Sequence, residues 1–146
     1  MPERTNTYYC PQHFQVKELV PYATWKAHGD SSLMFLDERL LRTLDLIREW
    51  FGRPMIVNNW HDGGKFEYRG YRPPDCTIGA SESQHRFGRA CDFDIEGLSA
   101  DAARKIIMDH QYDPAFQFIK RIELGTSWVH IDLANVDSAT IYTFTP

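Results

Sequence analysis

The sequence predicts an α+β fold, a small and mainly antiparallel sheet with flanking helices. Two helical patterns, several short alternating strands and the absence of any repeat or linker across 146 residues predict it. That length suits a single domain, 1–146.

In chain order, residues 1–13 read as an irregular N-terminal extension. FQVKELV, at 14–20, reads as a short helix or strand. Asp37 is a good N-cap for a helix over 38–51, where Leu40, Leu41, Leu44, Ile47 and Phe51 recur at helical spacing. Gly52 is placed to end that helix, and Pro54 prevents its continuation. PMIVNNW, at 54–60, reads as a strand. Residues 61–82 form a long loop bearing glycine and proline, and such loops in compact domains are usually functional. CDFDIE, at 91–96, alternates and reads as a strand. Ser99 caps a second helix over 100–110, with Ala103, Ile106 and Ile107 inward. FIKRIEL (118–124) and SWVHIDL (127–133) read as a hairpin. A two-residue turn at Gly125-Thr126 pairs Glu123 with Trp128. TIYTF, at 140–144, is a last short strand.

Composition excludes several functions. The chain is 42% hydrophobic and 14% aromatic, enough for a core. A net charge of −4, from 16 basic and 20 acidic residues, argues against a nucleic-acid partner. No apolar run approaches the roughly 20 residues that span a membrane. MPERTNTYYC has no apolar leader, so the chain as given is expected to be cytoplasmic as synthesised. Cys10, Cys76 and Cys91 are odd in number, widely spaced and form no CxxC pair. Neither a disulfide framework nor a cysteine-rich zinc site is expected.

The histidines carry more information. His110 ends a helix, where a cation suits the dipole. His13 and His28 lie in polar surroundings, and His61 is a lesser candidate in the long loop. His85 lies seven residues before Asp92, and His130 stands in an otherwise apolar strand beside Asp132. Strand alternation puts Trp128, His130 and Asp132 on one face, and Asp92 and Asp94 on one face of theirs. If the two strands are neighbours, His85, Asp92 and His130 meet. Two imidazoles and a carboxylate form a known zinc environment that leaves a position for water or substrate.

Ser83-Gln-His85-Arg-Phe-Gly88-Arg-Ala90-Cys-Asp92 matches SxHxxGxAxD at every fixed position. It resembles the signature of the zinc D-Ala-D-Ala peptidase family, which includes bacterial carboxypeptidases acting on peptidoglycan stems and many phage endolysins. The Hedgehog signalling domain shares that fold. Trp128-Val-His130-Ile-Asp132 is similar to the family's second metal motif and closest to its phage-rich carboxypeptidase branch. The helix followed by GRPMIV resembles the segment before the signature, so the resemblance covers about 14–134. It implies a Hedgehog/DD-peptidase-like fold and Zn²⁺ on His85, Asp92 and His130. It implies hydrolysis of peptidoglycan stem peptides, as a D-Ala-D-Ala carboxypeptidase or a murein endopeptidase, and a monomer is expected. A phage lysis role, with release to the periplasm or cell wall by a holin, fits the missing leader.

The match departs from the family in the loop from His61 to Gly70, which is longer than expected, and at the general-base position. Relatives often carry Glu or Asp three residues before the last zinc histidine, as general base; here that residue is Ser127. Asp132 and Glu123 are the two candidates for the base. The family's oxyanion arginine, in a Tyr-Arg context, has two counterparts in Tyr68-Arg69-Gly70-Tyr71-Arg72-Pro73. Arg72, followed by prolines, is the preferred one. Ser127 also supports an alternative: a non-catalytic zinc-binding module, or a phage structural protein keeping the fold. A rival with Cys76 as nucleophile and His85 as base leaves the rest of the pattern unexplained.

Overall fold

A computed structural model describes residues 8–146. Part of the expected irregular extension, residues 1–7, lies outside the described residues. Residues 8–13 form neither helix nor strand, yet they are tied down. The buried Asp45 carboxylate accepts hydrogen bonds from the Tyr9 hydroxyl and from the backbone N–H groups of Gln12 and His13.

Three α-helices form: α1 (Tyr22–His28), α2 (Glu38–Phe51) and α3 (Ala100–Asp109). The expected caps are present. Asp37 accepts from Arg39 N at 2.9 Å, Ser99 accepts from Ala102 N at 3.1 Å, and Gly52 takes the left-handed conformation after α2. FQVKELV becomes a 3₁₀ turn, Val16–Glu18, closed by Glu18 accepting from Gln15 N. α1 and the 3₁₀ segment Gly29–Phe35 after it went unread in the sequence, being too short to show a period.

The sheet has five strands, β1 (Met55–Ile56), β2 (Ala90–Ile95), β3 (Arg121–Glu123), β4 (Val129–Asp132) and β5 (Tyr142–Phe144), in the order β1-β2-β4-β3-β5. The β1–β2, β2–β4 and β4–β3 pairings are antiparallel, and β5 joins β3 in parallel, so the sheet is mixed. The strand expected at 54–60 shrinks to two residues because its asparagines bond elsewhere. Asn58 Oδ1 accepts from Arg69 N, and Asn59 Oδ1 accepts from Phe66 N.

The hairpin register differs from the expected one. Glu123 pairs with His130, not Trp128, and residues 124–128 form a wider loop than a two-residue turn. Arg104 of α3 holds that loop open. Its guanidinium is buried and donates to Thr126 O and Trp128 O, each at 3.0 Å.

One face of the sheet is core: Cys91, Phe93, Ile122, Val129 and Ile131 are at most 1% exposed. α3 lies against β2 and β4, contributing Ala103 and Ile107, while Ile106 is only half-buried. Fully burying one such side chain stabilises by about 1.5–3 kcal/mol. No helix among the described residues is long and apolar enough to cross a membrane.

Candidate metal centre

Strand pairing sets polar residues in rows on the other face. Phe144, Glu123, His130 and Asp92 follow one another across β5, β3, β4 and β2. The next row runs Tyr142, Arg121, Asp132 and Ala90. Direct cross-strand partners lie close enough for side chains to touch. His130 Nδ1 is accordingly 2.8 Å from Asp92 Oδ1 and 3.8 Å from Glu123 Oε2. Ala90 is fully buried beside this charged row, where its small side chain fits.

His85 comes from the 3₁₀ turn Gln84–Phe87 just before β2. Ser83 starts that turn by accepting from His85 N, and Gly88 ends it at φ 67°. A Cβ on Gly88 would fall 1.8 Å from Phe35 O, so only glycine fits there. The loop before the turn is pinned too. Arg69 O accepts from Asp92 N, and His85 O accepts from Arg72 N. Between them, Gly70 O lies 2.8 Å from His85 Nδ1. That bond assigns the proton to Nδ1 and turns Nε2 towards Asp92, 3.3 Å from Oδ2.

His85, Asp92 and His130 are buried, and one ligand atom from each lies within 4.8 Å of the others. Two imidazole nitrogens and one carboxylate oxygen suit a borderline cation. Both imidazoles are oriented through their second nitrogen, His85 by Gly70 O and His130 by Asp132. Burial alone would push the His130 pKa down, but hydrogen bonds to Asp132 and Asp92 outweigh it and hold the group at about 9. Asp92 is raised by burial and lowered more strongly by His130 and His85, ending well below the usual carboxylate range. A group that stabilises an imidazolium this well also suits a cation that displaces its proton.

The two base candidates separate. Asp132 is 0% exposed; Arg121 binds it through Nε and Nη2, and His130 Nε2 is 2.8 Å from its Oδ2. It does not line the cleft above the centre. Glu123 does line that cleft, a space of about 560 Å³ whose apolar rim includes Ile78, Ala80, Trp128 and Phe144. Arg121, next but one to Glu123 on the same strand, pairs with Asp132 instead. The arginines separate as well. Arg72 lines the cleft, with Nη2 3.4 Å from Asp92 Oδ2 and Nε donating to Tyr68 O. Burial lowers its pKa and the Asp92 charge opposes that. Arg69 instead pairs with Asp94 Oδ2 at 3.0 Å.

Ser127 is exposed and does not line the cleft, and neither does His61. Cys91 is on the core face, where burial drives its thiol pKa far up. Cys76, the nucleophile of the rival reading, does not line the cleft. Sequence reasoning missed Arg121, Phe144 and the Gly70 carbonyl. Alternation already put Arg121 on the face of Glu123, but only the register with β4 set it against Asp132.

Comparison with protein-family models, curated proteins and solved structures found no match to this chain.

Proposed function

We propose that the protein is a zinc-dependent peptidase acting on peptidoglycan stem peptides. The observation that carries this reading is the buried His85–Asp92–His130 group at the floor of an open cleft, with Glu123 in the same cross-strand row. The SxHxxGxAxD resemblance supplies the substrate class.

His85 Nε2, His130 Nδ1 and the Asp92 carboxylate would hold Zn²⁺. The bound ion supplies Lewis acidity, polarising the scissile carbonyl and making water a nucleophile at neutral pH. The protein's own groups do the rest. Glu123 accepts the proton of the attacking water at a carboxylate oxygen and passes it to the leaving amine as the C–N bond breaks. Arg72 offers guanidinium N–H donors to the developing oxyanion. Gly70 O and Asp132 hold the two imidazoles in their ligating tautomers.

A second reading, a zinc-binding module without activity, draws on Ser127 at the position where relatives carry the base. Incubating the zinc-loaded chain with purified muropeptides separates the two. Release of free D-alanine identifies a carboxypeptidase, and opened cross-links identify an endopeptidase. Stoichiometric zinc with no cleavage at any pH sinks the peptidase and leaves the module.

A further inference from the structure

Arg121 has no part in the hydrolysis just described, yet it engages both partners that orient His130. It stands directly across from Asp132 on the paired strands β3 and β4. Its Nε is 2.9 and 3.1 Å from the two Asp132 oxygens, and its Nη2 is 2.8 Å from Oδ2. That same Oδ2 is 2.8 Å from His130 Nε2. The Arg121 guanidinium also stacks 4.3 Å above the Phe144 ring. The Phe144 ring in turn meets the His130 imidazole nearly at right angles, 87°, with centroids 5.7 Å apart.

A fully buried carboxylate stays anionic only where its charge is compensated. Arg121 supplies that compensating charge directly, through two nitrogens on the Asp132 carboxylate. Its planar fork also fixes the plane of the Asp132 carboxylate, which an ammonium group would not. With that plane fixed, Oδ2 stays aimed at Nε2, and the opposite ring nitrogen, Nδ1, stays aimed at Asp92. Phe144 limits rotation of the same imidazole from the β5 side.

We propose that Arg121 is a positioning residue of the metal centre, fixing the His130 ring through Asp132 and Phe144 so that Nδ1 is presented to a divalent cation. This rests on His85, Asp92 and His130 being metal ligands, and not on the protein being a peptidase.

The test uses the full chain and the variants Arg121→Gln, Arg121→Lys and Phe144→Leu. Zn²⁺ affinity is measured by competition with a chromophoric chelator, and the His130 Nε2–H proton is followed by NMR in the metal-free protein. Arg121→Gln is expected to bind zinc roughly 10–100-fold more weakly. Arg121→Lys recovers part of the loss, because it restores charge without the fork. The Nε2–H signal, slow to exchange in wild type, exchanges faster in Arg121→Gln. A merely structural arginine would lower the melting temperature while leaving the affinity of the folded protein and this signal unchanged; that result overturns the proposal. If Arg121→Gln does not fold, Arg121→Lys and Phe144→Leu decide. Several-fold weaker zinc binding in both supports the proposal, and wild-type affinity in both overturns it. A wild type that binds no zinc overturns the ligand set and this proposal together. A wild type that binds zinc but cuts no muropeptide overturns only the peptidase, and the affinity ratios still decide the role of Arg121.

Discussion

Glu123 and His130 are direct partners across the β3–β4 ladder, and Glu123 Oε2 lies 3.8 Å from His130 Nδ1. The neighbouring strand thus brings a carboxylate to the His85–Asp92–His130 group, where the peptidases that the sequence resembles often carry one three residues before the histidine. Asp132, the other candidate for the base, is held by Arg121 and His130 Nε2.

Glu123→Gln is therefore expected to lower kcat on muropeptides by about 10²–10⁴-fold with zinc content unchanged. Asp132→Asn is expected to act differently, weakening zinc binding. Metal analysis beside steady-state kinetics checks both. Full activity in Glu123→Gln would place the base elsewhere.

Arg72 faces the cleft beside Asp92 and carries donors suited to an oxyanion. Its replacement by methionine is expected to reduce kcat by about 10²–10³-fold, more than it raises KM. Arg69→Met, which breaks the pair with Asp94 and the contacts with Val57 O and the Phe66 ring but touches nothing in the cleft, serves as the control. Equal kinetic losses in the two variants would count against an oxyanion role for Arg72.

The metal-free protein has a predictable pH dependence. His130 is raised from 6.5 to about 9 on folding, so its contribution is complete below pH 6.5 and is lost as pH rises through about 9. Asp92 is lowered from 3.8, so its contribution is present above pH 3.8 and is lost as pH falls through its folded pKa. Urea titrations of chelator-treated protein should thus show stability falling on both sides of a plateau between about pH 4 and 6.5. Zinc must displace one proton from His130, so its affinity should rise about tenfold per pH unit below about pH 9. A pH-independent affinity between pH 6 and 8 would remove His130 from the ligand set.

Two glycines with similar φ allow a controlled comparison. Gly88 has φ 67° and no room for a Cβ, while Gly52 has φ 64° and nothing within 4 Å. Gly52→Ala is expected to cost about 1 kcal/mol, the left-handed backbone term alone. Gly88→Ala should cost more than about 2 kcal/mol, because the turn must also retreat from Phe35 O. It should weaken zinc binding as well, since that turn carries His85. Chemical denaturation and zinc titration check the pair, and equal costs would contradict the tight approach.

Much of this architecture is legible in short stretches of sequence. α2 and α3 follow from apolar spacing bounded by Asp37, Gly52 and Ser99, all of which act within one helical turn. β2 and β4 follow from alternation, which also puts Asp92, His130 and Asp132 on the polar faces. Other elements escape because their causes are remote. The strand expected at 54–60 is cut short by asparagine side chains bonding to Phe66 and Arg69, and the strand expected at 140–144 forms over Tyr142–Phe144 but takes a parallel partner, β3, that nothing local specifies.

By itself the sequence determined which residue types could hold a metal ion and their local presentation. Ser83 and Gly88 shape the turn under His85, and strand alternation aims Asp92 and His130, because turns and pleats depend on near neighbours. Only the tertiary structure decided which carboxylate looks into the cleft and which is locked beneath it. That choice follows from the β3–β4 register, and Arg104, on α3, braces the loop between these strands through backbone carbonyls. A displacement of one residue in that register would turn every side chain of β3 to the opposite face.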